Sequence, residues 1–124
     1  MCSSDLHYTD SALYHFLDNC SKENFWKNTL VVIIADHGHP LPERAHQVDR
    51  FKIPMLWLGG ALTKKGVEVS SVGSQTDLPA TLLNQLEVRS DAFTWSRNML
   101  SSKYNPSAYF SFNNGFGYTK GSEY

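Results

Sequence analysis

Apolar residues recur at Leu13, Phe16, Leu17 and Cys20, the i, i+3, i+4, i+7 spacing that gathers side chains on one helix face. The spacing predicts an amphipathic helix that begins between Asp5 and Asp10, where Ser, Thr and Asp can cap free amides, and fades between Ser21 and Asn28. Thr29–Ala35 breaks this rhythm. It is rich in β-branched residues and apolar on both alternating faces, which predicts a central strand of parallel sheet. A polar stretch from Asp36 to Lys52 follows, and then Ile53–Leu58, a second predicted strand stopped by Gly59-Gly60. Pro54 has no N–H to give a ladder, so it belongs at an edge or among the first residues of that strand.

Ala61–Gln75 is polar, with Gly66 and Gly73 as breakers around Val67-Glu68-Val69, a candidate short strand. Thr76 reads as an N-cap, Asp77 suits the positive helix end, Pro79 falls in the first turn, and Leu78, Leu82, Leu83 and Leu86 form an apolar stripe. Together they predict a second helix. Glu87–Tyr104 has no clear period. Ala108–Phe112 predicts a strand that turns at Asn113-Asn114-Gly115 and pairs with Phe116–Thr119, with Asn and Gly supplying left-handed backbone.

Helix, strand, strand and helix in this order predict an α/β fold, a mostly parallel sheet flanked by helices, with a β-rich C-terminal tail. Residues 1–124 read as a single domain. Cover is short, however. A strand as apolar as Leu30–Ala35 needs strand neighbours on both sides and helices on both faces, and two helices do not supply them. The chain is therefore expected to form part of a larger sheet or to depend on a partner, an exposed sheet edge being a route to a homo-oligomer.

Composition narrows the partners. Eleven Lys+Arg against twelve Asp+Glu give a formal charge of -1, so no basic field draws the chain to nucleic acid or to an anionic membrane. The apolar fraction of 41% over 124 residues is enough for a core, with roughly two-thirds of the extended surface buried on folding. The longest apolar run, Leu30–Ala35, is far short of the ~20 residues that cross a bilayer, and nothing at Met1–Asp5 resembles a signal peptide. The chain itself is expected to be soluble. Cys2 and Cys20 suit neither a disulfide framework nor a zinc knuckle.

The chemistry concentrates in Ala35-Asp36-His37-Gly38-His39, directly after the apolar strand. Ligands of open α/β sheets bind beyond the carboxyl ends of strands. Asp offers a hard anionic oxygen and neutral His a nitrogen, a pair that suits a divalent ion such as Zn, Mn or Mg. Gly38 would let the chain turn sharply so that both face one point. The plainer reading has Asp36 and His37 capping a turn. Two ligands do not close a site, and His39 and His46 are the available extras: each is a ligand, a donor to a substrate oxygen, a general acid, or a solvated loop histidine. Tyr104, Tyr109, Phe110, Phe112, Phe116 and Tyr118 form either a stacking platform or packed sheet. Gly59-Gly60 lacks a phosphate-loop Lys-Ser/Thr pattern, and no nucleophile-elbow Gly-x-Ser-x-Gly occurs.

Three segments in this order carry a resemblance: Val32-Ile-Ile-Ala-Asp36-His37-Gly38-His39, Lys52-Ile-Pro-Met-Leu-Trp-Leu-Gly59-Gly60 and Gln75-Thr-Asp77-Leu-Pro79-Ala-Thr81-Leu-Leu. Over about Asp5 to Asn98 the chain resembles the C-terminal part of sulfatase-like proteins of the alkaline phosphatase superfamily, nearest to the lipoteichoic acid synthase and phosphoglycerol transferase group. The resemblance implies that Asp36 and His37 are ligands of a divalent metal (Mn, Zn, Mg or Ca). It puts His39, the catalytic candidate, at a polar position near the phosphate or sulfate of an ester substrate. Family enzymes attack the ester with a Thr, Ser or formylglycine nucleophile that lies far N-terminal to Asp-His-Gly. Met1–Thr29 contains no such motif. The resemblance thus implies an isolated chain that is inactive, an N-terminal half of the domain as its partner, and a membrane-anchored parent on the extracytoplasmic face of a bacterial cell envelope. The alternative is a non-catalytic interaction or oligomerisation module derived from the same fold.

Overall fold

The computed structural model describes residues 3–38 and 47–121. Contacts divide the chain into two compact units, Met1–Val67 and Glu68–Tyr124. The first opens with helix α1, Ser3–Ser21. This helix begins upstream of the expected window because Asp5 lies in its first turn, where a carboxylate suits the positive end of the dipole. Thr9 Oγ1 donates to the Asp5 carbonyl at 2.9 Å, so it serves the helix interior and not a cap. The predicted stripe lies on one face and is only partly covered: Phe16 is 60% exposed, and Leu17 and Cys20 are half-buried.

A 3-10 turn at Asn24–Asn28 leads to strand β1, Val31–Ile34; a second 3-10 turn at Gln47–Phe51 precedes strand β2, Met55–Leu58. Pro54 stands just before β2, where its missing N–H removes no ladder bond. Strands β1 and β2 pair antiparallel, from Val31 opposite Leu58 to Ile34 opposite Met55. The mixed helix and strand content is that of an α/β protein, but the parallel arrangement is corrected for the described strands. A parallel neighbour needs a crossover element that packs back on the sheet, and the described part of the β1–β2 connection forms one 3-10 turn. β-Branched residues apolar on both faces serve an antiparallel strand equally when both faces are half-covered, as all four residues of β1 are.

The Gly59-Gly60 stop has a packing cause. Gly59 takes φ +120°, and a Cβ on Gly60 would lie 2.5 Å from the Trp26 carbonyl oxygen and 2.8 Å from Lys27 Cα. With no side chain there, Gly60 N–H donates to Trp26 O at 3.1 Å and Ala61 N–H to Thr29 O at 3.2 Å. The first 3-10 turn is thereby fastened to the end of β2.

In the second unit a 3-10 turn, Gln75–Asp77, runs into helix α2, Leu78–Gln85, and strands β3, Ser107–Phe112, and β4, Gly115–Lys120, form a hairpin. Three expectations change here. Val67–Val69 is not a strand, and Val67 and Val69 are exposed, with no described neighbour to pair the backbone. Thr76 is not a cap: Ser74 caps the 3-10 turn, its side chain and that of Asp77 reciprocally accepting each other's backbone N–H, and Asp77 stands at the N-cap of α2. At the hairpin tip Phe112 pairs with Gly115, which leaves a two-residue Asn113-Asn114 loop with no positive φ, so the expected left-handed geometry is absent.

Left-handed backbone occurs instead at Glu87, with φ 57°. Val88 N–H donates to Leu83 O at 2.9 Å and Glu87 N–H to Asn84 O at 3.3 Å, the paired bonds that close a helix C-terminus. Among the described residues the buried ones, Asp77, Ala80, Thr81, Ser107 and Thr119, all belong to the second unit. Among the described residues no helix is long and apolar enough to cross a membrane.

Candidate functional site

Asp36 and His37 follow β1 after the single residue Ala35, so both lie just beyond the C-terminal end of a strand whose own residues are half-buried. Both are open to solvent, 90% and 78% exposed. The Asp36 carboxylate folds back, its Oδ1 accepting the His37 N–H at 2.9 Å. This is the turn-capping bond of the plainer reading, and it leaves Oδ2 directed elsewhere. His37 Nδ1 lies 2.8 Å from the Gly38 carbonyl oxygen. A carbonyl only accepts, so the proton sits on Nδ1, and the lone pair of the neutral ring is on Nε2. That Nε2 lies 3.7 Å from Asp36 Oδ2.

This geometry fits half of a divalent metal site. Two coordination bonds of about 2.1 Å each span the separation of Nε2 and Oδ2, and a carboxylate oxygen with an imidazole nitrogen suits Zn or Mn. An Nδ1–H held by a backbone carbonyl is the usual outer support of a ligating imidazole. Capping and ligation are therefore not exclusive, because they use different atoms of Asp36. Among the described residues, no group of three or more His, Cys, Asp and Glu is placed to hold a metal. His39 and His46, the further candidates, lie outside the described residues.

Gly38 is also required by packing. It does not take positive φ. A Cβ at Gly38 would overlap the Arg50 carbonyl oxygen and lie 2.8 Å from its carbonyl carbon. The main chain of the Gln47–Phe51 turn is seated directly on this residue.

The second unit contains a polar cluster that the sequence pattern did not reveal. Asp77 is fully buried. Arg97 grips it with two parallel bonds, Nε to Oδ1 at 3.0 Å and Nη2 to Oδ2 at 2.7 Å. The backbone N–H groups of Arg97 and Ser74 and the Tyr104 hydroxyl complete the shell at 3.0, 3.2 and 2.9 Å. Burial alone would raise the Asp77 carboxyl, but these donors, led by the Arg97 side chain, hold it below its ordinary range. Burial and the Asp77 bond push the Tyr104 phenol up to about 12. Arg97 also donates Nη2 to the Ser107 carbonyl at 2.9 Å, tying the entrance of α2 to the start of β3. Thr81 Oγ1 donates to the Asp77 carbonyl at 2.7 Å and accepts the Met99 N–H at 2.9 Å. The Ser74-x-x-Asp77 spacing was the available local signal; Arg97, twenty residues on, gave none.

Both carboxylate oxygens of Asp77 are taken within the cluster, whereas Asp36 Oδ2 and His37 Nε2 belong to solvent-exposed side chains. The sulfatase family model matches residues 3–88, a range that includes Asp36, His37 and helix α2. No solved structure matches the chain.

Proposed function

The chain belongs to the sulfatase family, and on that premise we propose that it is the C-terminal part of a metal-dependent catalytic domain acting on a sulfate or phosphate ester. Intact members of the family are hydrolases. The observation that carries the reading is the 3.7 Å separation of Asp36 Oδ2 and His37 Nε2 at the end of a half-buried strand. Asp36 and His37 would hold a divalent cation, Mn, Zn, Mg or Ca. When bound, such an ion supplies Lewis-acid stabilisation of the charge that develops on the ester.

The residues of the chain then divide their work. Asp36 uses Oδ1 to fix its own loop and Oδ2 to bind; His37 uses Nδ1–H for orientation and Nε2 to bind. His39, two residues on, is the proposed polar contact to the sulfate or phosphate. The nucleophile, a Thr, Ser or formylglycine hydroxyl, is supplied by polypeptide N-terminal to Asp36. Support for such a partner comes from the exposed apolar face of α1, including Phe16 at 60%, which a larger domain would cover. Within the family the phosphoglycerol transferase group is the proposed subgroup, with the parent protein anchored at the cell envelope.

Calorimetric titration with Mn and with Zn tests the site. Weak binding, with Kd roughly millimolar for a two-ligand site, is expected for the chain and is abolished by Asp36→Ala and by His37→Ala. Absence of any heat of binding at ten times that concentration of either metal, or binding that survives both substitutions, would overturn it.

A second reading has its own observation. Both described sheets have two strands, so each strand has one edge without a strand partner among the described residues, and edges invite pairing with a second copy. Sedimentation of the purified chain as a concentration-independent monomer would dismiss this homo-oligomeric module.

A further inference from the structure

We infer that the Gln47–Phe51 turn is the support that fixes the His37 ring, acting through Gly38, so that Arg50 contributes its main chain to the metal-binding loop. Three contacts in series carry this. The Arg50 carbonyl lies where a Gly38 side chain would be, with its carbon 2.8 Å from that Cβ position. The Gly38 carbonyl in turn lies 2.8 Å from His37 Nδ1. His37 Nε2 faces Asp36 Oδ2.

A ring that is 78% exposed has little packing to hold it, so the short Nδ1 bond to Gly38 is what chiefly sets its orientation and tautomer. That bond is only as firm as the peptide carrying the Gly38 carbonyl. The turn is itself braced: Lys52 Nζ bridges Asp49 Oδ1 at 2.6 Å, and Lys52 N–H donates to the Asp49 carbonyl at 3.3 Å. The contact to Gly38 comes from backbone, so the identity of the Arg50 side chain does not matter, while the absence of a side chain at Gly38 does. The inference rests on the metal reading for its function but not for its geometry.

Long-range proton–nitrogen spectra of the neutral His37 ring, recorded without metal, separate the two. In the unaltered chain the proton is expected on Nδ1; a proton on Nε2 overturns the inference without need of any variant. Gly38→Ala is expected to scramble the tautomer and to weaken Mn binding about tenfold or more, the range for losing a ligand's outer support. Arg50→Ala should leave both unchanged. Retention of tautomer and affinity in Gly38→Ala overturns the inference. If the chain binds no Mn, yet the Nδ1 tautomer is present and Gly38→Ala removes it, the support stands and the metal reading falls.

Discussion

Two carboxylates in this chain each face a nitrogen-bearing side chain, and they are built for opposite purposes. Asp77 is enclosed, with both oxygens taken by Arg97, by two backbone N–H groups and by Tyr104. Asp36 is open to solvent, uses one oxygen on its own loop, and holds the other 3.7 Å from His37 Nε2. A buried carboxylate that is fully bonded has no capacity for a ligand, and its removal is felt by the fold. An exposed one, 90% open to solvent, contributes little to folding. The difference separates a residue that holds the second unit together from one whose proposed role is to bind.

Asp77→Ala is the strongest way to break this comparison. It leaves the Ser74 and Arg97 N–H groups and the guanidinium without their acceptor. A loss of about 3 kcal/mol is expected in chemical denaturation, the low end for a broken buried pair because the Arg97 side chain is 42% exposed. Near-equality with Asp36→Ala would erase the distinction. The Asp77 carboxyl is held below its unfolded value of about 3.9. Its contribution is therefore complete above that pH and is lost as pH falls through the folded value. Asp77→Asn should flatten the acid limb of a stability–pH curve.

Tyr104 acts at the other end of the scale. Its phenol is raised by burial first and by the Asp77 bond second, to about 12 in the folded chain, against about 10 when unfolded. Its contribution is full below about 10 and is lost as pH rises toward about 12. Tyr104→Phe should remove this alkaline limb and cost about 1 kcal/mol at neutral pH through the lost hydrogen bond. A smaller effect of opposite sign is expected where α2 closes. Glu87 sits at φ 57° in a place that suits glycine, so Glu87→Gly should stabilise the second unit by up to about 1 kcal/mol in thermal denaturation. Smallest of all, Asp36→Ala and His37→Ala should change metal-free stability by no more than about 0.5 kcal/mol.

The elements were legible because they depend on near neighbours. The α1 stripe, the β-branched run of β1, the Gly59-Gly60 stop, helix α2 and the Asn113-Asn114 hairpin lie where local pattern puts them, although Leu86 falls just past α2 and is exposed while the helix buries Ala80 and Thr81. What the sequence hid was mostly non-local. The antiparallel pairing of β1 with β2 is set by which edges meet, and not by the composition of either strand. The grip of Arg97 on Asp77 and the seating of Arg50 on Gly38 join segments with no shared period. At Gly38 the sequence suggests a sharp turn, and the fold adds a second requirement, room for a neighbouring carbonyl. The Asp36–His37 pair stands out by its position after an apolar strand, while the bonds of Asp36 Oδ1 and His37 Nδ1 depend on how the loop folds.

Paramagnetic Mn, added in small steps to the labelled chain and followed by amide spectra, sets the two carboxylates against each other in one sample. Selective early broadening of Ala35–Gly38 is expected, while Asp77 and Arg97 remain sharp, and Asp36→Ala should abolish it. Broadening spread evenly over exposed acids such as Asp5, Asp10 and Asp91, or an unaffected Asp36–His37 loop at millimolar metal, would contradict the assignment of this pair as the metal-binding site.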